Sequence, residues 1–434
     1  MAAACATSGE LADDEKIDPK GDPVDASSVD TRRDAGSDGG GRDATSRDAG
    51  RRDATPGEPT CTDPPCLLTR AQALSVSTGH GCVVTEEHKV ACWGWNDLGQ
   101  LGVGDTTPRS GAIELELEDV REVATGDWHT CILHTNGSVR CWGDNDDGQL
   151  GYGDHDARLE PAEPIAGLTD VVQLIAGSYH TCALLGDGSA RCWGRNYNGQ
   201  LGLGYDNEGG VPSPTQVPAL TQVKQLTANT AHTCALHEDG SASCWGYGGF
   251  GQLGSGSEPA GGMSSSPVRV AGLLGASRIQ AGLSTTCAID ADARMTCWGT
   301  FNDGHSSTSP TAWAPARVDG VDAEVIDIAP SGYHACALYQ SGQAVCWGMN
   351  LRGQLGTMEC DGAFDPQGIP CDNQTQPTPV LQGGLRSIRS FNFHTCALTE
   401  EGSALCWGGN WLGQLGDGTT LDRGAPAPVL RASE

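Results

Sequence analysis

The sequence predicts an all-β protein, a seven-bladed β-propeller with four-stranded blades. The first observation is the tripeptide Cys-Trp-Gly, which occurs seven times at spacings of 49 to 60 residues, close to the length of a propeller blade. The second is Gly-Gln-Leu-Gly, which follows six of the seven copies. The third is a series of short strand-like runs between turn residues, with no long helical period.

A polar segment precedes these repeats. Residues 8–66 hold few large apolar side chains and repeat Arg-Asp-Ala four times, so they cannot bury enough surface to offset their ordering entropy. We predict a disordered acidic tether here. The small residues before Cys5 resemble the end of a bacterial lipoprotein signal, which makes residues 1–7 a signal remnant and Cys5 a lipidation site. The alternative is an unpaired Cys in a disordered start.

Residues 67–434 form the predicted propeller. Val171–Ala176 and Thr181–Leu185 read as strands, and Asp187-Gly188 marks a hairpin turn. We expect the last segment, Ala425–Leu430, to complete the first blade and so close the ring. A Pro/Val segment precedes each later hairpin, at Pro161–Ile165, Pro214–Val217, Pro267–Val270, Pro315–Val318 and Pro377–Val380, with Ile113–Leu117 as a degenerate version.

Seven pairs of cysteines stand ten residues apart, one pair on each predicted hairpin. The turn falls at the midpoint of each pair, so the two cysteines lie opposite each other or within one residue of it. Opposed residues have a Cα separation of ~4.5–5.5 Å, which a disulfide can bridge. The pairs are Cys82 and Cys92, Cys131 and Cys141, Cys182 and Cys192, Cys234 and Cys244, Cys287 and Cys297, Cys336 and Cys346, and Cys396 and Cys406.

Three interpretations compete for these cysteines. Zinc needs four converging ligands, whereas each hairpin offers one pair without Cys-x-x-Cys spacing. Buried free thiols, which pack as small apolar side chains, are the second. Disulfides are favoured because Cys61 with Cys66, and Cys360 with Cys371, form two more local pairs and leave Cys5 alone. Nine bridges would place the protein in an oxidising, extracytoplasmic compartment.

The charge balance excludes several partners. The chain has 55 acidic and 26 basic residues, a formal net charge of -29, so nucleic acids and anionic membrane surfaces would be repelled. No run of 18 apolar residues occurs. We therefore expect no nucleic-acid binding, and membrane contact only through a lipid on Cys5.

The full repeat, as in residues 180–202, reads His-Thr-Cys-Ala-Leu, a turn, and Cys-Trp-Gly-x-Asn-x-x-Gly-Gln-Leu-Gly. It resembles the repeat of the regulator of chromosome condensation family, over about residues 67–434. The resemblance implies a seven-bladed propeller with four-stranded blades. The family includes a nuclear nucleotide-exchange factor, sensors, scaffolds and secreted inhibitors, so it does not select a function. The paired cysteines and the acidic balance depart from the nuclear members, and we carry over no exchange-factor contact residue.

Two side chains recur in every blade or nearly so. A Trp follows the second cysteine of each pair and is predicted to pack between blades. A His precedes the first cysteine by two positions in six repeats, and Thr285 takes that place in the fifth. A ring of metal ligands is one interpretation of these His, and a hydrogen bond that stabilises each blade is the favoured one. They are His80, His129, His180, His232, His334 and His394.

Departures from the repeat are the predicted binding positions. The loops after Gly-Gln-Leu-Gly are enlarged at Tyr205–Val211, Ser255–Ser266 and Thr357–Gln376, and corresponding loops of a propeller project from one face. Aromatic side chains outside the repeat are candidates for contact with a partner. These candidates are Trp128, Tyr179, Tyr197, Tyr247, Tyr333 and Trp411.

We interpret the chain as a monomeric, extracytoplasmic protein-binding scaffold, either secreted or held on the cell envelope as a lipoprotein, with a partner that is not identified. A carbohydrate-binding propeller is an alternative. The chain has no Gly-x-Ser-x-Gly, P-loop or His-Glu-x-x-His motif, so we expect no enzyme, catalytic residue, cofactor or metal site. A hydrolase or lyase site in the channel is a further alternative. Loop carboxylates that could bind Ca²⁺ are Asp105, Asp154, Asp206 and Asp417.

Overall fold

The computed structural model describes residues 67–300, 312–357, 373–380 and 382–432. In these ranges the chain forms seven consecutive antiparallel sheets, six of four strands and one of three. The first strands of neighbouring sheets contact each other around a ring, so each sheet is a blade with its first strand innermost. The described part has no α-helix and one short 3-10 turn, Ala260–Gly262. The predicted seven-bladed propeller is confirmed.

The strands of each blade follow in chain order from the innermost to the outermost. The first blade has β1 (Ala71–Val76), β2 (His80–Thr85), β3 (Val90–Gly94) and β4 (Arg109–Glu114). The second has β5 (Val120–Thr125), β6 (His129–His134) and β7 (Val139–Gly143). The third has β8 (Val171–Ala176), β9 (His180–Leu185), β10 (Ala190–Asn196) and β11 (Asn207–Gln216). The fourth has β12 (Val223–Ala228), β13 (His232–His237), β14 (Ala242–Tyr247) and β15 (Met263–Arg269).

The last three blades follow the same order. The fifth has β16 (Arg278–Ala281), β17 (Thr285–Ile289), β18 (Met295–Gly299) and β19 (Ala312–Arg317). The sixth has β20 (Val325–Pro330), β21 (His334–Tyr339), β22 (Ala344–Gly348) and β23 (Gln374–Pro379). The seventh has β24 (Leu385–Phe391), β25 (His394–Thr399), β26 (Ala404–Gly408) and β27 (Arg423–Pro428).

The second and third strands of every blade form the predicted hairpin. In the third blade Cys182 lies directly opposite Cys192. The turn between these strands contains Gly188 at a φ of 77°, a conformation that glycine adopts without strain. The carboxylate of Asp187 accepts a 2.9 Å hydrogen bond from the backbone N–H of Ser189 and so fixes this turn. The local turn chemistry therefore sets the register that places the cysteines face to face.

The C-terminal strand belongs to a different blade from the one expected. β27 pairs with β26, with Ala427 opposite Cys406, so it completes the seventh blade rather than the first. The expectation was wrong because each blade uses four consecutive strands, and β4 already supplies the outer strand of the first blade. The other Pro/Val segments, with the exception of Pro161–Ile165, likewise overlap the outer strand of the blade before them.

The two ends of the described chain nevertheless meet at the ring closure. The backbone N–H of Leu68 donates to the carbonyl of Val429 at 3.0 Å, just beyond β27. Ala112 of β4 donates to Leu430 at 2.7 Å and accepts from Ala432 at 2.8 Å. These backbone hydrogen bonds join the seventh blade to the first and leave no open edge between them.

The second blade has no fourth strand, so the expectation of one at Pro161–Ile165 is wrong. Arg158 forms an isolated bridge to Gly143, and only the last residue of the segment returns to the sheet. Between these contacts the hydroxyl of Tyr152 accepts a 3.0 Å hydrogen bond from the backbone N–H of Cys141. The phenol thus takes the place of a strand residue, and the displaced segment borders a surface groove of about 560 Å³.

The hydrophobic core is divided into seven clusters, each lying between two adjacent blades. Between the first and second blades the ring of Trp142 packs with the disulfide between Cys82 and Cys92 and with Leu101 of Gly-Gln-Leu-Gly. Six of the seven repeated Trp side chains are at most 1% exposed, and Trp347 is 5% exposed. The predicted packing of these rings between blades is what holds neighbouring sheets together.

Some expectations lie outside the described residues. They concern the signal remnant 1–7, the tether 8–66 and most of the loop Thr357–Gln376, together with Cys5, Cys61, Cys66, Cys360 and Cys371. A search of the described residues for a helix long and apolar enough to cross a membrane finds none.

Candidate protein-binding face

The structure joins seven cysteine pairs by disulfides, one on each hairpin within the described ranges. The two cysteines of each pair are direct partners in the strand register, and their Cα atoms are 4.0–4.2 Å apart. This separation is slightly shorter than the range expected for opposed residues. The bonds join Cys82 to Cys92, Cys131 to Cys141, Cys182 to Cys192, Cys234 to Cys244, Cys287 to Cys297, Cys336 to Cys346, and Cys396 to Cys406.

These disulfides belong to the core between blades. Cys297 is 6% exposed, and the other bonded cysteines, among them Cys92, Cys244 and Cys346, are fully buried. Each disulfide packs in one of the hydrophobic clusters between adjacent blades, as Cys244 does against the ring of Trp298. The two remaining interpretations of these cysteines, free thiols and zinc ligands, are not the arrangement that the structure shows. The disulfides leave the faces of the ring available for function.

A repeated hydrogen-bond network crosses each regular interface between blades. His180 Nε2 lies 2.9 Å from Thr233 Oγ1, and that hydroxyl donates to the carbonyl of Gln200 at 2.8 Å. Because the hydroxyl has a single proton, it accepts from the imidazole, which is therefore protonated on Nε2. Trp245 Nε1 donates to the same Gln200 carbonyl at 2.9 Å. The same contact joins His80 to Thr130, His129 to Thr181, His232 to Thr286 and His334 to Thr395.

The repeated His are neutral and separate from one another. Burial lowers the pKa of four of them to about 3 and that of His232 and His394 to about 4. Each imidazole lies at its own interface. Among the residues that the structure describes, no three His, Cys, Asp or Glu side chains come together as a metal ion would require. For five of the six His, all except His394, the geometry supports the interpretation as interface hydrogen-bond donors.

The antiparallel order of the strands places two loops of every blade on one side of the ring. These are the loop after the first strand and the loop after the third strand, and we call this side the loop face. The residue directly before each repeated His lies in the first of these loops. The residues between Cys-Trp-Gly and Gly-Gln-Leu-Gly lie in the second. Aromatic side chains occupy these positions in several blades.

Aromatic side chains of the first three blades form one contact group on the loop face. The rings of Trp95 and Trp128 meet edge to face at a centroid distance of 4.2 Å. Trp128 Nε1 donates to the hydroxyl of Tyr179 at 3.3 Å. The guanidinium of Arg195 lies 3.7 Å from the centre of the Tyr179 ring and 5.1 Å from that of Tyr197. Three blades therefore contribute to one cation and aromatic cluster.

A second group lies on the sixth and seventh blades. Tyr333 stacks on Phe393 at a centroid distance of 4.5 Å, and Phe393 meets Trp411 edge to face at 5.8 Å. Arg352 lies 5.3 Å from the centre of the Trp411 ring and forms a 3.1 Å ion pair with Asp422. This group repeats the combination of stacked rings with an arginine.

The two groups meet across the ring closure. A Cβ atom on Gly79 would lie 2.9 Å from the Trp95 ring and 3.1 Å from the Leu412 side chain, so these two side chains converge over Gly79. Below them Asn392 Nδ2 donates to Thr78 Oγ1 at 3.1 Å, and Thr78 Oγ1 donates to the carboxylate of Asp127 at 2.8 Å. The continuous set, which we call the aromatic arc, consists of Trp95, Trp128, Tyr179, Tyr197, Tyr333, Phe393 and Trp411, with Arg195 and Arg352.

The sequence candidates differ in accessibility. Trp128 and Tyr179 are only 6% and 5% exposed because they cover each other, whereas Tyr197 and Trp411 are 44% and 38% exposed. Tyr247 lies outside the arc and contacts Phe250 at a centroid distance of 5.6 Å. The exposed rings form the accessible surface, and the buried ones support it.

Four members of this surface were missed in the sequence. Phe393 occupies the same repeat position as Trp128, directly before the His. This shared position could have identified Phe393 as a candidate from the sequence. Trp95 and Arg195 share the position after Cys-Trp-Gly. Arg352 gave no signal, because its contact with Trp411 joins residues of different blades.

Two enlarged loops also project from the loop face. Tyr205–Val211 leads into and includes the start of β11, and Ser255–Ser266 contains the 3-10 turn and the start of β15. Both follow the third strand of their blade. The structure thus brings these loops and the aromatic arc to the same side of the propeller, as the sequence predicts for corresponding loops.

Comparison with known proteins places these features in a family. Two sequence models described as "Regulator of chromosome condensation (RCC1) repeat" match the chain. One matches residues 72–100, 120–149, 171–200, 223–252, 325–354 and 392–414, and the other 87–133, 136–184 and 187–236. Neither covers residues 253–324, where the fifth repeat has lost both its His and Gly-Gln-Leu-Gly.

Individual proteins are similar to this chain in sequence or in fold. The ultraviolet-B receptor UVR8 of Arabidopsis thaliana is 29% identical over 364 residues, which cover 81% of this chain and 80% of the receptor. The mitochondrial RCC1 domain-containing protein RUG3 of the same plant is 28% identical over 269 residues, 59% of this chain and 58% of RUG3. The crystal structure of Prp20p from Saccharomyces cerevisiae has a TM-score of 0.68 at 24% identity, covering 79% of this chain and 85% of Prp20p. The chain therefore belongs to the regulator of chromosome condensation (RCC1) repeat family.

Proposed function

We propose that this propeller is an extracytoplasmic scaffold that binds a partner protein through the aromatic arc. The observation that carries the proposal is the gathering of off-repeat aromatic rings and arginines from five blades on one face. Trp, Tyr and Arg are the residue types that most often dominate the energy of protein interfaces. A role that served only the blade would place the same residue in every repeat, whereas the arc differs from blade to blade.

The arc is also supported from beneath, as a preorganised interface requires. Trp411 rests on Phe393, and its neighbour Arg352 is held by Asp422. The guanidinium of Arg195 is fixed between the Tyr179 ring and the carboxylate of Asp147, at 2.9 Å from the latter. Few rotamers would have to be frozen on binding, so less conformational entropy would be lost than with mobile side chains.

The proposed compartment follows from the disulfides. Seven bridges lie in the described core, one on each blade. Such bonds persist in oxidising environments and are rare in reducing ones. A secreted protein and a lipoprotein attached through Cys5 both satisfy this condition. A search for a diacylglycerol-modified Cys5 peptide by mass spectrometry distinguishes the two.

Affinity capture from an extract of the source cells tests the binding proposal. Replacing the exposed rings with the double variant Tyr197→Ala and Trp411→Ala should abolish capture of the partner. Leu274→Ala is the matched control, because this side chain is 71% exposed and lies between β15 and β16, on the face opposite the loop face. Equal capture by both variants would refute the arc as the binding site, provided that their melting curves match that of the parent protein.

Carbohydrate binding is the second candidate. The accessible rings of Tyr197 and Trp411 present flat apolar surfaces of the kind that pack against sugar rings. A glycan array separates the two functions, since a glycan-specific signal that disappears in the double variant would assign the arc to carbohydrate. The relatives named above do not assign a partner to this chain.

A further inference from the structure

The inner strands have a charge balance opposite to that of the whole chain. The chain carries 26 basic and 55 acidic residues. The seven inner strands, β1, β5, β8, β12, β16, β20 and β24, carry five basic and two acidic side chains. These residues are Arg121, Lys224, Arg278, Arg386 and Arg389, with Glu122 and Asp327. The inner strands that surround the central channel are therefore net basic in an acidic protein.

Three of these basic residues mark one mouth of the channel. Each stands second in its inner strand, at the end remote from the loop face, and donates to a backbone carbonyl of the next blade. The hydrogen bonds run from Arg121 to Val172 at 2.7 Å, from Lys224 to Ala276 at 3.1 Å and from Arg386 to Ala71. No carboxylate takes part in these contacts, so the positive charges remain uncompensated by them.

Deeper in the channel two arginines share one carboxylate. Arg278 Nη2 lies 2.9 Å from one oxygen of Asp327, and Arg389 Nη1 donates to the other at 2.8 Å. The carboxylate is 4% exposed, but the Arg278 and Arg389 side chains are 33% and 29% exposed. Two cations with one anion leave a net positive charge that is accessible from the channel.

These arginines retain hydrogen-bonding capacity. Arg278 Nε is buried and has no hydrogen-bond partner. Arg389 directs both of its hydrogen bonds, to Asp327 and to the carbonyl of Ile388, through Nη1. Burial, followed by the charge of Arg389, shifts the pKa of Arg278 downwards despite the opposing effect of Asp327. The site thus combines spare N–H donors with positive charge.

The remaining carboxyl group of the inner strands, Glu122, neutralises the site only in part. Glu122 Oε2 accepts a 3.1 Å hydrogen bond from the backbone N–H of Leu174. Burial raises the pKa of Glu122 to about 7, against the opposing effects of Arg121 and Arg389. At neutral pH about half of this carboxyl is protonated, so it cancels only part of the charge of the arginines.

We propose that the channel binds a small oxyanion, a carboxylate or a phosphate group, between Arg278 and Arg389. A planar guanidinium presents paired N–H donors that match the two oxygens of such a group, and low water access strengthens the contact. Arg121, Lys224 and Arg386 add positive charge at the mouth through which the anion enters. This site is separate from the aromatic arc, and the proposal does not depend on whether the arc binds a protein.

Isothermal titration calorimetry on the oxidised full chain tests the proposal. Inorganic phosphate and succinate are titrated separately at constant ionic strength, and we expect saturable one-to-one binding of at least one of them. The comparison between the two probes identifies the preferred group. Arg389→Gln should weaken the binding constant at least tenfold. Arg278→Lys, which keeps the ion pair with Asp327, should weaken it less than Arg278→Gln.

Arg269→Gln is the control, because Arg269 lies on the outer strand β15, is 65% exposed and carries the same charge. Binding in this variant should equal that of the parent protein. The proposal is overturned if neither probe gives saturable binding, or if Arg269→Gln reduces binding as much as Arg389→Gln. Unchanged binding in folded Arg389→Gln protein, checked by circular dichroism, overturns it as well.

Discussion

His180 Nε2 and Thr233 Oγ1 are joined by a 2.9 Å hydrogen bond that crosses from the third blade to the fourth. At the interface between the fifth and sixth blades both partners are replaced together, because Thr285 stands in the His position and Ala335 in the Thr position. No buried donor is left without an acceptor by that double change. At this interface the His and the Thr are therefore replaced as one unit.

The interface between the seventh and first blades is altered on one side alone. Gly81 stands in the Thr position, while His394 is retained. His394 Nε2 is buried and has no hydrogen-bond partner. A Cβ atom on Gly81 would lie 2.7 Å from the Trp93 ring, so this glycine makes room for the indole. At the ring closure, glycine allows the Trp93 ring to pack, and the hydrogen bond of His394 is absent.

Thr233→Val should destabilise the propeller because it leaves a buried imidazole N–H without an acceptor. The expected loss is about 1–3 kcal/mol in the free energy of unfolding. Thr233→Ser keeps the hydroxyl and should recover most of that loss. Chemical denaturation under non-reducing conditions measures both. Thr233→Val keeps the methyl group and removes only the hydroxyl, so unchanged stability in this variant would contradict a stabilising hydrogen bond.

The repeated His should make the protein sensitive to acid. In the unfolded chain their pKa is about 6.5, and in the folded chain burial lowers it to about 3 or 4. Below pH 6.5 the unfolded chain binds protons that the folded chain does not. The stabilisation from these groups is complete above pH 6.5 and decreases as the pH falls towards about 3.

Each imidazole contributes a slope of up to about 1.4 kcal/mol per pH unit in this window. Glu122 has the opposite sign, because its pKa is raised to about 7, and burial also raises the pKa of Asp127 and Asp144, but these are three groups against six. Unfolding free energies measured at pH 7, 6 and 5 should therefore decrease steadily. A constant or increasing stability over this range would contradict neutral, buried His in the folded state.

Two tryptophans at equivalent positions should respond differently to the same substitution. Trp193 and Trp407 are both fully buried, but Trp193 Nε1 donates to the Gln149 carbonyl at 2.9 Å, whereas Trp407 Nε1 has no partner. Trp193→Phe should lose about 1 kcal/mol more unfolding free energy than Trp407→Phe, since only the former breaks a hydrogen bond. Denaturant titration of both variants checks this difference. Equal losses would mean that indole volume alone matters.

Removing one hairpin disulfide should lower stability without altering the fold. For the Cys182→Ala and Cys192→Ala double variant, the chain-entropy model gives about 2.7 kcal/mol for a loop of this length. That value is an upper guide, because β9 and β10 are already close in sequence. Thermal unfolding with and without reductant measures the effect. A parent protein whose melting curve is unchanged by reductant would contradict the disulfides.

The local features of the fold could be predicted from the sequence, but strand membership could not. Cys182 and Cys192 flank one Asp-Gly turn, so ten residues of sequence determine their pairing. The local sequence around Ala427 is compatible with pairing to the first or to the seventh blade. Its partner is Cys406 of the seventh blade, and this pairing depends on the strand order of the whole ring. The replacement of a strand by the Tyr152 hydroxyl has no sequence signature either.

The sequence could predict which positions contribute to the candidate site, but not how their side chains contact one another. The sequence marks Trp128 and Tyr179 as departures from the repeat, but not that each covers the other. The channel residues Arg278, Asp327 and Arg389 were not singled out, because they come from three blades and each looks like an ordinary strand residue. Contacts between blades join residues about fifty positions apart in the sequence. Such contacts cannot be recognised from a local sequence pattern.

Site-specific photo-crosslinking tests the central claim, that a partner protein binds the aromatic arc, most directly. A photoreactive phenylalanine is placed in the full chain at position 411 or 197 and, as a control, at position 274 on the opposite face. The account predicts a discrete crosslinked protein from positions 411 and 197 after irradiation of the source cells, and none from position 274. A discrete adduct from position 274 alone, or no adduct from any of the three, would contradict it.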